Sequence, residues 1–218
     1  MLLKALNVNN KLPEELNTVT FDEVERREEV LRCDPENAGK LLDLALAYID
    51  LQRNAEAVEL LDRCIQDRSR DAAALYARAV AYLSLNDYRK AGNDFLRVLV
   101  LEPENVDAHR HLGVIQLMLG KEEAAMKTIR KALAIDPDCA DLYCVLGDVH
   151  LDLCEYDQAK EAFDKAVELA PEQAEPHCKI AMYYLSRGDM KGLKREYELL
   201  KTLDASMAEQ IGSLFFTT

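Results

Sequence analysis

Four histidines (His109, His111, His150, His177) and six cysteines (Cys33, Cys64, Cys139, Cys144, Cys154, Cys178) are the side chains of this 218-residue sequence best suited to chemistry. A zinc site or a redox dithiol needs such residues at short, fixed spacing. No C-x-x-C pair occurs and no histidine stands at zinc-ligand spacing, so the cysteines read as small apolar residues of a reducing compartment. The phosphate-binding G-x-x-x-x-G-K-[ST], the dinucleotide G-x-G-x-x-G, the nucleophile elbow G-x-S-x-G and the zincin H-E-x-x-H are all missing. Adjacent carboxylates such as Glu122 and Glu123 stand where a helix begins and favour its dipole. The expectation is a chain with no catalytic residues, no metal and no cofactor, hence not an enzyme.

Charge narrows the partners. A formal net charge of -13 argues against nucleic acid, whose phosphates are held by clustered Lys and Arg, and against an anionic membrane surface. Met1–Asn10 is too briefly apolar for a signal-peptide core, and no run reaches the length of a membrane span, so no membrane insertion is expected and the cytoplasm is the expected location. Hydrophobic residues make up 49% and charged residues 31%, with only 8 Gly and 6 Pro to build turns. That composition favours helices over many short strands.

The elements that would carry any site repeat along the chain. Pro35, Pro103, Pro137 and Pro171 are separated by multiples of 34 residues, with Ser69 in the missing place. Each proline closes an amphipathic segment that it cannot continue. Within one period, apolar residues recur at three- and four-residue spacing in two blocks, parted by Asn86-Asp87, Gly120-Lys121, Cys154-Glu155 or Gly188-Asp189. The period predicts a helix, a tight turn and a second helix.

The segment 140–173 resembles a tetratricopeptide repeat (TPR), with Tyr143, Leu146, Gly147 and His150 on its first helix and Ala159, Phe163, Ala166 and Pro171 on or after its second. The segment from Val106 carries His109, Leu112, Gly113, Gly120, Ala125, Ile129, Ala132 and Pro137 in the same places, and that from Ala72 carries Ala79, Tyr82, Tyr88, Ala91, Phe95 and Pro103. The outer segments from Ala38 and Ala174 are more degenerate, the last having Leu193 and Leu200 where small residues are usual. The resemblance implies an all-α fold, an α-solenoid wound as a right-handed superhelix of about five units: 38–71, 72–105, 106–139, 140–173 and 174–205, together 38–205. Residues 21–37 are expected to form an N-terminal capping helix with Thr20 or Asp22 at its start. Residues 206–218 are expected to form a C-terminal capping helix and tail, with Asp204 or Ser206 as the cap. Residues 1–20 show no periodicity and read as an arm, free or laid in a groove.

The resemblance also implies a function. The first helices from Val106 and Ala140 are apolar almost all round, more than a helix with a solvent face requires. On the TPR pattern the inner, concave wall would be built from Leu46 and Ile49; Tyr76, Val80 and Leu83; Val114, Leu117 and Met118; Cys144, Asp148 and Leu151; and Cys178, Met182 and Leu185. A groove of Leu and Met suits an amphipathic or apolar protein segment, though ordinary core is the competing explanation. The family's clamp for a C-terminal carboxylate is missing, because Leu42, Leu46, Ala77, Asp107 and His111 occupy its places. The expected role is a protein-interaction scaffold or adaptor, with self-association open. A dedicated chaperone for a secreted or membrane-associated protein, and an accessory subunit of a transferase, are the alternatives.

Overall fold

The structure, a computed structural model, describes residues 20–67 and 70–215. The expected arm, Thr20 apart, and Ser69 lie outside the described residues.

Twelve helices and no strand occur among the described residues. After α1 (Phe21–Cys33) two kinds alternate. The first helices of the hairpins are α2 (Ala38–Asp50), α4 (Ala72–Ser84), α6 (Val106–Met118), α8 (Ala140–Asp152) and α10 (Ala174–Ser186). The second helices are α3 (Asn54–Asp67), α5 (Tyr88–Leu101), α7 (Glu122–Ile135), α9 (Tyr156–Leu169) and α11 (Met190–Leu203), and α12 (Ala205–Phe215) follows. The starts are set by capping side chains: Asn37, Asp71 and Asn105 each accept from the first-turn backbone of α2, α4 and α6, as Thr20 does for α1. Asp204 accepts from Met207 N at 2.9 Å at the start of α12.

Each first helix ends on a residue in the left-handed region: Gln52, Asn86, Gly120, Cys154 and Gly188, with φ between 59° and 70°. In four of the five turns the next amide returns to the helix, as in Glu155 N to His150 O at 2.8 Å and Asp189 N to Tyr184 O at 2.9 Å. Glycine adopts this conformation freely, whereas a side chain there costs about 1–2 kcal/mol. Replacing the exposed Cys154 by glycine removes that strain but loosens the unfolded chain by about 0.5–1 kcal/mol. Cys154→Gly is therefore expected to stabilise the fold by about 0.5–1 kcal/mol. Urea unfolding checks it, and an unchanged or lowered midpoint contradicts it.

The helices fall into two compact units, one ending at Leu119 and the other starting at Gly120. In the first, the hairpins α2–α3 and α4–α5 stack through α3 on α4 and α5 on α6, with α1 laid on α2. Its centre holds Leu41, Leu61, Leu75, Phe95 and Ile115, packed around fully buried Ala45, Ala79 and Ala91. Arg78 on α4 donates through Nε and Nη2 to both carboxylate oxygens of the buried Asp94 on α5, each at 2.7 Å, and through Nη1 to Asp62 on α3. That fork pins three helices.

In the second unit, α7 and α9 pack on α8, α9 and α11 pack on α10, and α12 covers α11. Phe163 is wholly buried and fills the space left by Gly147. In the last hairpin Leu193 and Leu200 are also wholly buried. The small residue is displaced by one position there: Gly192 lies under Tyr184, whose ring atoms stand 2.5–2.8 Å from where a Cβ would be.

Candidate partner-binding surfaces

The histidines are structural in their contacts. His177 places Nδ1 2.9 Å from Glu196 and Nε2 2.9 Å from the Pro171 carbonyl, and His150 Nδ1 is 2.6 Å from Glu155. His109 Nε2 meets the Pro103 carbonyl at 2.9 Å. His111 stacks on Phe95 at 5.0 Å and lies edge-on to Tyr76 at 5.9 Å. Burial, reinforced by Arg110, pushes the His111 imidazole down from 6.5 to about 3. The unfolded chain therefore binds a proton that the fold refuses between those values. The stability this provides is complete above about pH 6.5 and is lost as pH falls toward 3, at no more than about 1.4 kcal/mol per unit. His111→Phe, which keeps a ring on Phe95, is expected to flatten this acid limb. Stability curves of equal slope for both proteins between pH 4 and 6.5 would contradict that account.

The first unit presents a layer of first helices with apolar side chains incompletely covered. On α4, Tyr76, Val80 and Leu83 are half-buried; on α6, Val114 and Leu117 are half-buried and Met118 is exposed. Leu46 on α2 is 43% exposed, and Leu42 one turn earlier is half-buried. Tyr76 also serves the core, its ring edge-on to Phe95 at 5.4 Å. Ile49, expected on the same surface, is buried at 8% exposure because it turns toward the α2 core.

In the second unit only Leu151 and Leu185 of the expected wall remain half-buried. Cys144, Asp148, Cys178 and Met182 are buried, because α8 and α10 pack directly against each other. Asp148 is buried, and its Oδ2 accepts from Lys179 Nζ at 2.6 Å, joining α8 to α10. A carboxylate on so apolar a helix demands a cation, and Lys179 at the middle of α10 was the signal for it. All six cysteines are free thiols, with Cys64, Cys144 and Cys178 buried.

Among the described residues no group of three His, Cys, Asp or Glu could hold a metal ion, and no helix is long and apolar enough to cross a membrane.

The tetratricopeptide repeat family profile matches residues 42–100, 79–139 and 140–173. Human peptidyl-prolyl cis-trans isomerase FKBP4 is 29% identical over 102 residues, 47% of this chain but 22% of that protein. The chain thus spans about a fifth of the length of that curated relative. A tetratricopeptide repeat protein from Parabacteroides merdae superposes with a TM-score of 0.78 at 18% identity, over 89% of this chain and 79% of that one. YrrB, described as a TPR protein with an unusual peptide-binding site, superposes with a TM-score of 0.61 at 17% identity, over 87% of this chain and 99% of its own. Profile matches across the helix hairpins of both units, and a fold shared with solved TPR solenoids, lead to one conclusion: this chain belongs to the tetratricopeptide repeat family.

Proposed function

We propose that the chain is a non-catalytic protein-interaction scaffold whose first-helix layer α2, α4 and α6 receives a partner segment through apolar contacts. Proteins of this family are protein-interaction scaffolds, and the peptide-binding site described for YrrB supports the same use of the fold here. The observation that carries the reading is Leu46, Tyr76, Val80, Leu83, Leu117 and Met118 left half-buried or exposed on one layer of helices, where a purely structural helix presents polar side chains to water. A segment with two or three Leu-sized side chains at helical spacing, and some Lys or Arg to suit a chain of net charge -13, has the matching chemistry.

Photo-crosslinking residues placed singly at Leu83, Leu117 and Val100 test it in extract of the source cell. Val100 is 78% exposed on the second helix α5 and serves as the control. The expected result is one partner attached from positions 83 and 117 and absent from 100. Attachment from 100 alone would move the site to the second helices and defeat the proposal.

A further inference from the structure

The apolar layer of α2, α4 and α6 is open toward one end of its helices. Successive helices from α1 to α6 pack on one another through connections of three or four residues, so they alternate in direction. The first helices α2, α4 and α6 therefore run parallel and finish at the same end. Leu83 and Leu117 each stand one residue before the end of their helix, Met118 closes α6, and Leu46 lies one turn before the end of α2. The helix α1 runs antiparallel to α2, with Tyr48 Oη donating to Glu28 at 2.8 Å and Arg27 Nη1 donating to the Asp43 carbonyl at 2.9 Å. Thr20, where α1 begins, is thus placed at the end where the layer is open.

Residues 1–19 lead into Thr20, and their composition matches the partner chemistry that the layer suits. Leu2, Leu3 and Leu6 are three and four residues apart, and Lys4 and Lys11 are the only charged side chains among residues 1–13. A chain of net charge -13 attracts such a segment, and Asp50, one turn after Leu46, is exposed at that end of α2. From Leu6 to Thr20 the chain can extend roughly 45 Å, whereas three helices packed about 8–10 Å apart are crossed in about 20 Å.

We propose that residues 1–13 fold back onto the first-helix layer of their own chain and close it, as a tethered competitor of the partner segment. This role rests on the layer being the partner site. Tethering makes a weak contact sufficient. At an effective concentration on the order of 1 mM, a contact with a dissociation constant of about 0.1 mM is closed about nine-tenths of the time and weakens a competitor about tenfold. The same segment of a second copy competes only at the concentration of the protein itself, so the chain's own segment is favoured.

A photo-crosslinking residue in place of Ala5 in the full chain gives the first test. Attachment should form within one chain of 24.7 kDa, to α2, α4 or α6 near Leu46, Leu83 or Leu117. Attachment only to α3, α5 or residues 120–215 overturns the proposal, as does the lack of any attachment. Attachment seen only in a product of twice that mass overturns it too, by giving the layer to a second copy. A labelled peptide of residues 1–13, added to the full chain, gives the second test. Leu3→Asp with Leu6→Asp frees the layer, so that variant should bind the peptide at least about tenfold more tightly than the unchanged protein does. Adding Leu83→Glu should abolish the gain. Equal affinity of the unchanged protein and the variant, or no binding to the variant, overturns the proposal. The two ideas fail separately: partner attachment from positions 83 and 117 beside a failed peptide test removes the competitor and leaves the partner site, whereas loss of that attachment removes both.

Discussion

Gly147→Ala is expected to cost about 2 kcal/mol of stability, although glycine to alanine inside an exposed helix normally gains about 1 kcal/mol. The sign is reversed by Phe163. An added Cβ would stand 2.6–2.7 Å from atoms of its ring, which is wholly buried on α9 and has no free space to enter. Phe163 faces Tyr183 edge-on at 6.5 Å centroid distance, so displacing it disturbs the next hairpin as well. The partner substitution separates overlap from other causes. Phe163→Leu alone leaves a cavity and should cost about 1–3 kcal/mol, but combined with Gly147→Ala the loss should be smaller than the sum by at least about 1 kcal/mol. Urea unfolding of the four proteins measures the cycle. Strict additivity would mean that the ring does not close the space above Gly147.

The second large effect is on binding. Leu83→Glu and Leu117→Glu should each weaken partner binding by more than about 2 kcal/mol, roughly thirtyfold, because each places a charge in a contact that desolvates it. Both side chains are half-buried, so the melting transition should move far less than the affinity does. Val100→Glu, at a far more exposed place on α5, should leave affinity unchanged. Raised salt should weaken binding only modestly, since surface charge steers the encounter more than it holds the complex. Normal binding by both leucine variants would remove the first-helix layer as the site. Loss of binding together with loss of helix content would assign Leu83 and Leu117 to the core.

The repeat itself was legible in the residues because it rests on local chemistry. Prolines at a 34-residue period end second helices where no donor is available, and the polar breaks before each second helix coincide with the left-handed residues Asn86, Gly120, Cys154 and Gly188. Small residues such as Gly147 and Ala159 and large ones such as Phe163 announced each other, because a missing side chain has to be filled by a neighbour. Thr20 and Asp204 are caps for the same local reason.

Exposure was not local, and only the tertiary structure decided it. Cys144, Asp148, Cys178 and Met182 stand at the same register as Tyr76 and Val80, yet the former group is buried where α8 packs directly on α10 and the latter is left half open. A helical register says which residues share a face; how closely the adjoining helix approaches that face depends on side chains a whole repeat away. The Asp148–Lys179 pair shows the same dependence, because either residue alone reads as a surface charge.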